Sequence, residues 1–250
     1  MREITKIKYI SLILLATLVS CGKVYHIAKV ENRNYRIERA SFPVDVKVAA
    51  MLEPYRLKLV ETMNEVIAVN DTELVKGKPS STMTNWFTDV VFDETQKLVA
   101  DSLDFAIQNY GGIRLNSINA GNITVGTIYE VMPFDNIAYV MELKGSVVQE
   151  LFDRMAQSGG WPVSRNVSFD LAYGKAKNIK IKGQPLDENK IYQAVIPDYI
   201  AIGGDNMDML KNCKTYNTQM FIRDLLINNL REQHARGLHI HPDNTARITE

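Results

Sequence analysis

Apolar and polar positions follow two periods along this chain, and the switches between them mark its elements. Between residues 45 and 64, Val48, Leu52, Tyr55, Leu59 and Met63 recur at helical spacing, with Pro54 as a place for a kink. Val66-Ile67-Ala68-Val69 reads as a short strand. Ser81 or Thr82 caps a helix running to residue 99, in which Trp86 and Val90, and Phe87 and Val91, stand four apart. Residues 104–108 read as a strand feeding a glycine turn, 137–143 as a strand and 146–156 as a helix. Alternation then returns: 167–173 and 178–182 flank Gly174 as a hairpin, 184–187 is a turn, and 191–197 is a strand. Residues 221–231 form an amphipathic helix carrying Phe221, Leu225 and Leu226, and a last strand lies near 246–249. Without a Gly/Pro/Ser linker, repeat or low-complexity stretch, the pattern predicts one α+β domain with a mixed sheet over residues 45–250.

The start of the chain reads differently. Arg2, Lys6 and Lys8 precede an apolar run over residues 9–19. That run is shorter than the ~20 residues a membrane-spanning helix needs. It ends in Leu18-Val19-Ser20-Cys21, which resembles a bacterial lipoprotein signal. The resemblance implies removal of residues 1–20, a lipid on Cys21, and an exported chain anchored to a bacterial membrane at the periplasmic face or the cell surface. The alternative is an ordinary signal peptide with an incidental cysteine. Residues 21–44 then form a tether and a first strand at Tyr35-Arg36-Ile37-Glu38.

Composition narrows the functional classes. The 250 residues are 46% hydrophobic and 23% charged, which excludes disordered and fibrous chains. Lys plus Arg and Asp plus Glu each number 29, giving no net charge. A general DNA or RNA binder needs a basic face to displace phosphate counterions, so neither is an expected partner. Neutrality leaves one local phosphate pocket open. Two cysteines make no disulfide framework; with Cys21 lipidated, Cys213 is left as a buried or a reactive thiol, the buried reading being the ordinary one for a small apolar side chain.

Catalytic motifs are missing. There is no Gly-x-Ser-x-Gly, no His-Glu-x-x-His and no Gly-x-Gly-x-x-Gly. Gly77-Lys78 sits as in a phosphate loop, but Thr72 occupies the place of the first glycine and Pro79 that of the Ser/Thr. His239 and His241 offer two ligands where a catalytic zinc needs three, and otherwise belong to a solvated tail.

Three segments carry residue types suited to a ligand. In Asn109-Tyr110-Gly111-Gly112-Ile113-Arg114, two glycines permit close backbone approach or positive φ, and the arginine supplies a planar cation for phosphate. The same segment fits a strand-end turn with a surface arginine. Pro133-Phe134-Asp135-Asn136 places an aromatic either in the core or as a wall for a flat ring. Tyr199, followed by Gly203-Gly204-Asp205, puts a carboxylate at a loop tip, where it accepts from vicinal hydroxyls or fixes an Asx-turn.

Together with Gly121-Asn122-Ile123-Thr124, and with Tyr199 six residues before Asp205, these stretches resemble the C-terminal domain of the 5′-nucleotidase family over residues 65–250. The resemblance implies a layered α/β/β/α fold and a nucleotide pocket. In it Arg114 holds phosphate, Phe134 and Tyr199 sandwich the base, and Asp205 accepts from the ribose. Asn109 touches base or sugar, Asn136 supports the pocket, and Gly203 and Gly204 shape the loop. Lys76 and Lys78 stand where the family has a second phosphate-binding arginine, and Asn206-Met207 replaces the commoner glycine-aromatic pair. The family's metallophosphatase domain, with its Asp-x-His and Gly-Asn-His-Asp/Glu stretches, has no counterpart here. No cofactor is expected in this chain; divalent metals are expected in a separate metallophosphatase partner that dephosphorylates nucleoside monophosphates. The alternatives are a stand-alone nucleoside- or nucleotide-binding lipoprotein and a vestigial one.

Overall fold

The computed structural model describes residues 29, 32 and 44–250; the export signal, Cys21 and the strand predicted at Tyr35–Glu38 lie outside the described residues. Residues Met51–Glu250 form one compact unit, and the described part of the unit before it is mainly the start of a helix.

That helix, α1 (Val46–Met63), is opened by the Asp45 carboxylate, which accepts from the backbone N–H groups of Lys47 and Val48. None of its residues is buried. The apolar spacing thus located the helix but not a buried face: Val46, Met51, Leu57 and Val60 carry apolar groups around the rest of the cylinder, all of them exposed. Only Met63 rests against the core.

β1 (Val66–Asn70) pairs antiparallel with β5 (Gly121–Thr124), and β2 (Leu74–Val75) with β4 (Ser117–Ile118). Between them runs α2 (Thr82–Leu98), closed by a reciprocal cap in which the Ser81 and Thr84 side chains each accept from the other's backbone. β3 (Phe105–Ala106) follows, then α3 (Val125–Val131), capped in the same way by Thr124 and Thr127.

The centre is a mixed sheet. β6 (Ile137–Lys144) lies antiparallel to both β10 (Ile191–Pro197) and β11 (Lys214–Phe221), and β3 adds in parallel to β10. α4 (Gly145–Gln157) leaves β6 and leads to a second sheet: β7 (Val167–Ala172), β8 (Lys175–Ile181) and β9 (Gln184–Pro185), with β12 (Ile248–Thr249) parallel to β7. The short helix α5 (Asp198–Ala201) extends β10, and α6 (Ile222–Ala235) follows β11.

Alternation along the central strands separates two cores. Ala138 and Val140 of β6 and Val195 of β10 face a core built with α2 and α6, where Phe87, Ile128 and Leu226 are fully buried. Met141 and Leu143 of β6, with Ala194 and Ile196 of β10, face a second core built with α4 and the outer sheet. There Phe152 stacks on Phe169, centroids 5.3 Å apart and planes 9° apart, and tilts against Phe105 at 5.4 Å. Arg247 ties the regions together: its guanidinium donates to both Asp89 oxygens, to Asp243 and to the Val163 carbonyl.

Two local expectations are corrected. Residues 184–187 are not wholly a turn, because Gln184–Pro185 pair with β8; the reversal occurs at Lys182-Gly183, both at positive φ. Phe221 precedes α6 as its cap instead of lying on its buried face, and the helix continues to Ala235.

Candidate functional site

The strand β3 delivers the chain into a turn of 3₁₀ helix, Tyr110–Gly112, with Asn109 as its cap. Beyond it the Arg114 N–H donates to the Val131 carbonyl at the end of α3, which fixes the arginine's backbone beside the Pro133–Asn136 segment. Phe134 packs its body on the first core. Across from it, α5 presents Tyr199, and the loop after α5 turns back tightly: Gly203, Asp205 and Asn206 all have positive φ, the region that glycine and Asp/Asn tolerate best.

Folding brings six predicted residues, Asn109, Arg114, Phe134, Asn136, Tyr199 and Asp205, onto one open cavity of about 420 Å³, together with Gly111 and Gly112. Its polar groups form a connected set. The Tyr199 hydroxyl donates to Asp205 Oδ1 at 3.0 Å, and Asn109 Nδ2 donates to Asp205 Oδ2 at 3.0 Å. The Asp205 carboxylate is thus held with one donor on each oxygen. Asn136 Nδ2 donates to Asp198 Oδ1 at 2.7 Å, and that oxygen also accepts the Tyr199 N–H at 2.7 Å. Asn136 therefore acts on the pocket by fixing the turn that carries Tyr199.

The glycines have specific reasons. At Gly204 a Cβ would lie 2.5 Å from the Tyr199 carbonyl oxygen and 2.6 Å from its ring Cζ. Its absence lets the Tyr199 ring lie on the loop and reach Asp205. Gly111 and Gly112 do not take the positive φ that was one expectation for them. A Cβ at Gly112 would sit 2.2 Å from Gln108 Nε2 and 2.6 Å from Asn109 Oδ1, where those two side chains hydrogen-bond at 2.8 Å.

Gln108 is one residue that sequence reasoning missed. Only 1% exposed, it holds the Asn109 amide so that the Nδ2 end meets Asp205. Nothing in its type or spacing distinguishes it from a strand-end glutamine. Asp198 and Tyr110 were likewise passed over.

Cations gather on one side. The Arg114 guanidinium carbon lies 4.7 Å from the Phe134 ring centroid. Lys76 and Lys78 place their Nζ atoms 4.0 and 4.7 Å from the centroid of Tyr110. Lys76 also donates to the Ile113 carbonyl at 2.6 Å, and Lys78 to that of Ser158. Lys78 does not line the cavity. Burial, then the charges of Arg114 and Lys78, hold the Lys76 ammonium below the usual lysine pKa; burial lowers that of Lys78.

The lining combines a guanidinium, two aromatic rings, amides and one carboxylate, and among the described residues it has no histidine, cysteine, serine or threonine. This set suits recognition of a flat, anionic, hydroxylated ligand. Among the described residues no three His, Cys, Asp or Glu side chains gather as a metal-ligand set; His239 and His241 both turn Nδ1 to Asp71, at 2.6 and 3.4 Å. Cys213 is partly buried against the second core, and burial pushes its thiol pKa up, away from the reactive thiolate.

Comparison with known proteins places these features. A sequence profile described as 5′-nucleotidase, C-terminal domain matches residues 61–212. Protein UshA of Salmonella pullorum is 38% identical over 123 residues, 48% of this chain and 22% of that protein. A 5′-nucleotidase of Vibrio vulnificus is 30% identical over 190 residues, 71% of this chain and 32% of that protein. The chain therefore corresponds to about a fifth to a third of the length of these curated relatives. The crystal structure of a 5′-nucleotidase precursor from Thermus thermophilus superposes with a TM-score of 0.68 at 28% identity, over 83% of this chain and 43% of that one. The matched segment covers more than half of the sequence and holds every residue of the cavity, and this chain belongs to the 5′-nucleotidase C-terminal domain family.

Proposed function

We propose that this chain is a nucleotide-binding subunit: it binds a nucleoside monophosphate and takes part in its dephosphorylation with a separate metallophosphatase chain. The observation that carries this reading is the meeting of Arg114, Phe134, Tyr199 and Asp205 on one cavity. In the proposed complex Phe134 and Tyr199 stack the base, a contact of roughly 1–3 kcal/mol per base. Asp205 exchanges its Tyr199 and Asn109 donors for ribose hydroxyls, and Arg114, with Lys76 and Lys78 behind it, takes the phosphate. The divalent metals that activate water belong, in this reading, to the partner. The chain's own residues bind and orient.

Calorimetric titration of AMP and adenosine into the purified chain tests the binding, with Arg114→Ala and Tyr199→Ala alongside. AMP binding strongly weakened in both variants is the expected result; no binding by the wild type would refute the reading. A phosphate-release assay with and without candidate metallophosphatase chains tests the partnership, and release by this chain alone would contradict it. The proposal also places the protein outside the cytoplasm on a lipid at Cys21. Metabolic labelling with a radioactive fatty acid should mark the wild type and not Cys21→Ala.

A further inference from the structure

Arg114 is exposed, and among the described residues its guanidinium makes no hydrogen bond or ion pair; its contact is the ring of Phe134. Phe134 is half-buried and packed on the first core, and the guanidinium lies over the face of its ring. The arginine's backbone is pinned to Val131, which leaves the long side chain as the moving part. Its cationic neighbour is Lys76, whose charge repels it, and Lys76 is itself held in place by the Ile113 carbonyl and the Tyr110 ring. Attraction to the Phe134 ring holds the Arg114 side chain where it lies, and the like charge of Lys76 offers it no competing partner.

We propose that Arg114 caps the base platform, and that a phosphate group on the ligand draws it off the Phe134 ring toward Lys76, exposing the face on which the base stacks. This deepens the nucleotide-binding reading and rests on it. A dianion placed between Arg114 and Lys76 reverses the sign of their interaction, so the two cations converge on it instead of separating. A nucleoside lacks that anion and must displace the guanidinium from the ring at its own expense. The pocket thereby discriminates nucleotide from nucleoside in two ways, by the phosphate contact itself and by the platform that the contact uncovers. Phosphate binding and base binding are coupled, and the coupling is reciprocal.

Inorganic phosphate is the direct probe. Adenosine is titrated into the purified chain with and without saturating phosphate, and AMP is titrated in parallel. Phosphate should tighten adenosine binding about two- to fivefold, the fold-change equivalent of an exposed cation–π contact. Arg114→Ala should weaken AMP, tighten adenosine by a similar factor in the absence of phosphate, and abolish the phosphate effect. Arg114→Met keeps a chain over the ring without charge, so its adenosine binding should stay closer to wild type. Adenosine affinity unchanged in Arg114→Ala, or phosphate without effect on adenosine in the wild type, would overturn the proposal while AMP binding upholds the nucleotide reading. A wild type that binds neither AMP nor adenosine would overturn both. Because Arg114 is exposed, the thermal midpoints of its variants should match the wild type, which separates these outcomes from misfolding.

Discussion

Replacing Gly204 by alanine tests how the pocket is built. The new Cβ would lie 2.5 Å from the Tyr199 carbonyl oxygen and 2.6 and 2.7 Å from two atoms of its ring. Ordinary contacts of this kind fall near 3.5–4.0 Å, so about 1 Å of movement is required. The carbonyl cannot supply it, because α5 is anchored by Ile200 and Ala201 in the second core. The ring and the loop tip must separate. A 1 Å displacement from the 3.0 Å hydroxyl–Asp205 distance takes that bond beyond hydrogen-bonding range. Overpacking of this kind costs about 1–3 kcal/mol, or roughly 2–12 °C in thermal midpoint for a domain of this size. If Tyr199 stacks the base as proposed, moving its ring should weaken AMP by about five- to 150-fold, the range set by one stacking contact. Gly111→Ala is the control for stability, since a Cβ there meets no protein atom within 4 Å although the residue lines the cavity. Thermal unfolding and AMP titration of the three proteins decide the matter. AMP affinity within twofold of wild type in Gly204→Ala, or an equal loss of thermal stability from Gly111→Ala, would refute the reasoning.

Gly112→Ala should break the Gln108–Asn109 bond; with Gln108 buried, the expected loss is about 1–3 kcal/mol in stability with weaker AMP binding, read by chemical denaturation and titration. Lys76 sheds its proton at a lower pH than an ordinary lysine, and a bound phosphate raises its pKa again. AMP binding should therefore take up protons at alkaline pH and weaken as pH rises through the window between the free and bound values; calorimetry in buffers of different ionisation enthalpy checks this, and Lys76→Met should abolish the uptake. Arg247→Met leaves the partly buried Asp89 without its bidentate partner and should cost about 3–5 kcal/mol, measured by urea unfolding.

The elements that could be read from the sequence were those with a buried face. β6 and β10 alternate because a core lies on each side of them, and α2 carries both a cap at Ser81 and an apolar stripe. β2 and β4 are two residues each, too short for any period to register. α3, at seven residues, is two turns long. β11 was missed because it lies at the sheet edge with mostly exposed polar side chains, so no hydrophobic pattern was needed to place it. α1 shows the converse: helical spacing specifies a helix, and burial depends on what packs against it. That these residues meet on one cavity was legible through the resemblance of four stretches in order, whereas each stretch alone also fitted a turn or a core position. Gln108 and Asp198 were not, because each acts through contacts with a neighbour, and the Asp198 contact with Asn136 spans 62 positions.

The separation of the interior into two cores has a consequence for how this molecule moves. Phe134 rests on one core, whereas Tyr110 rests on the other and Tyr199 adjoins Ile200 within it. A ligand held by both groups is a clasp across the central sheet. Its binding should slow amide hydrogen exchange on both sides together, including in strands far from the pocket.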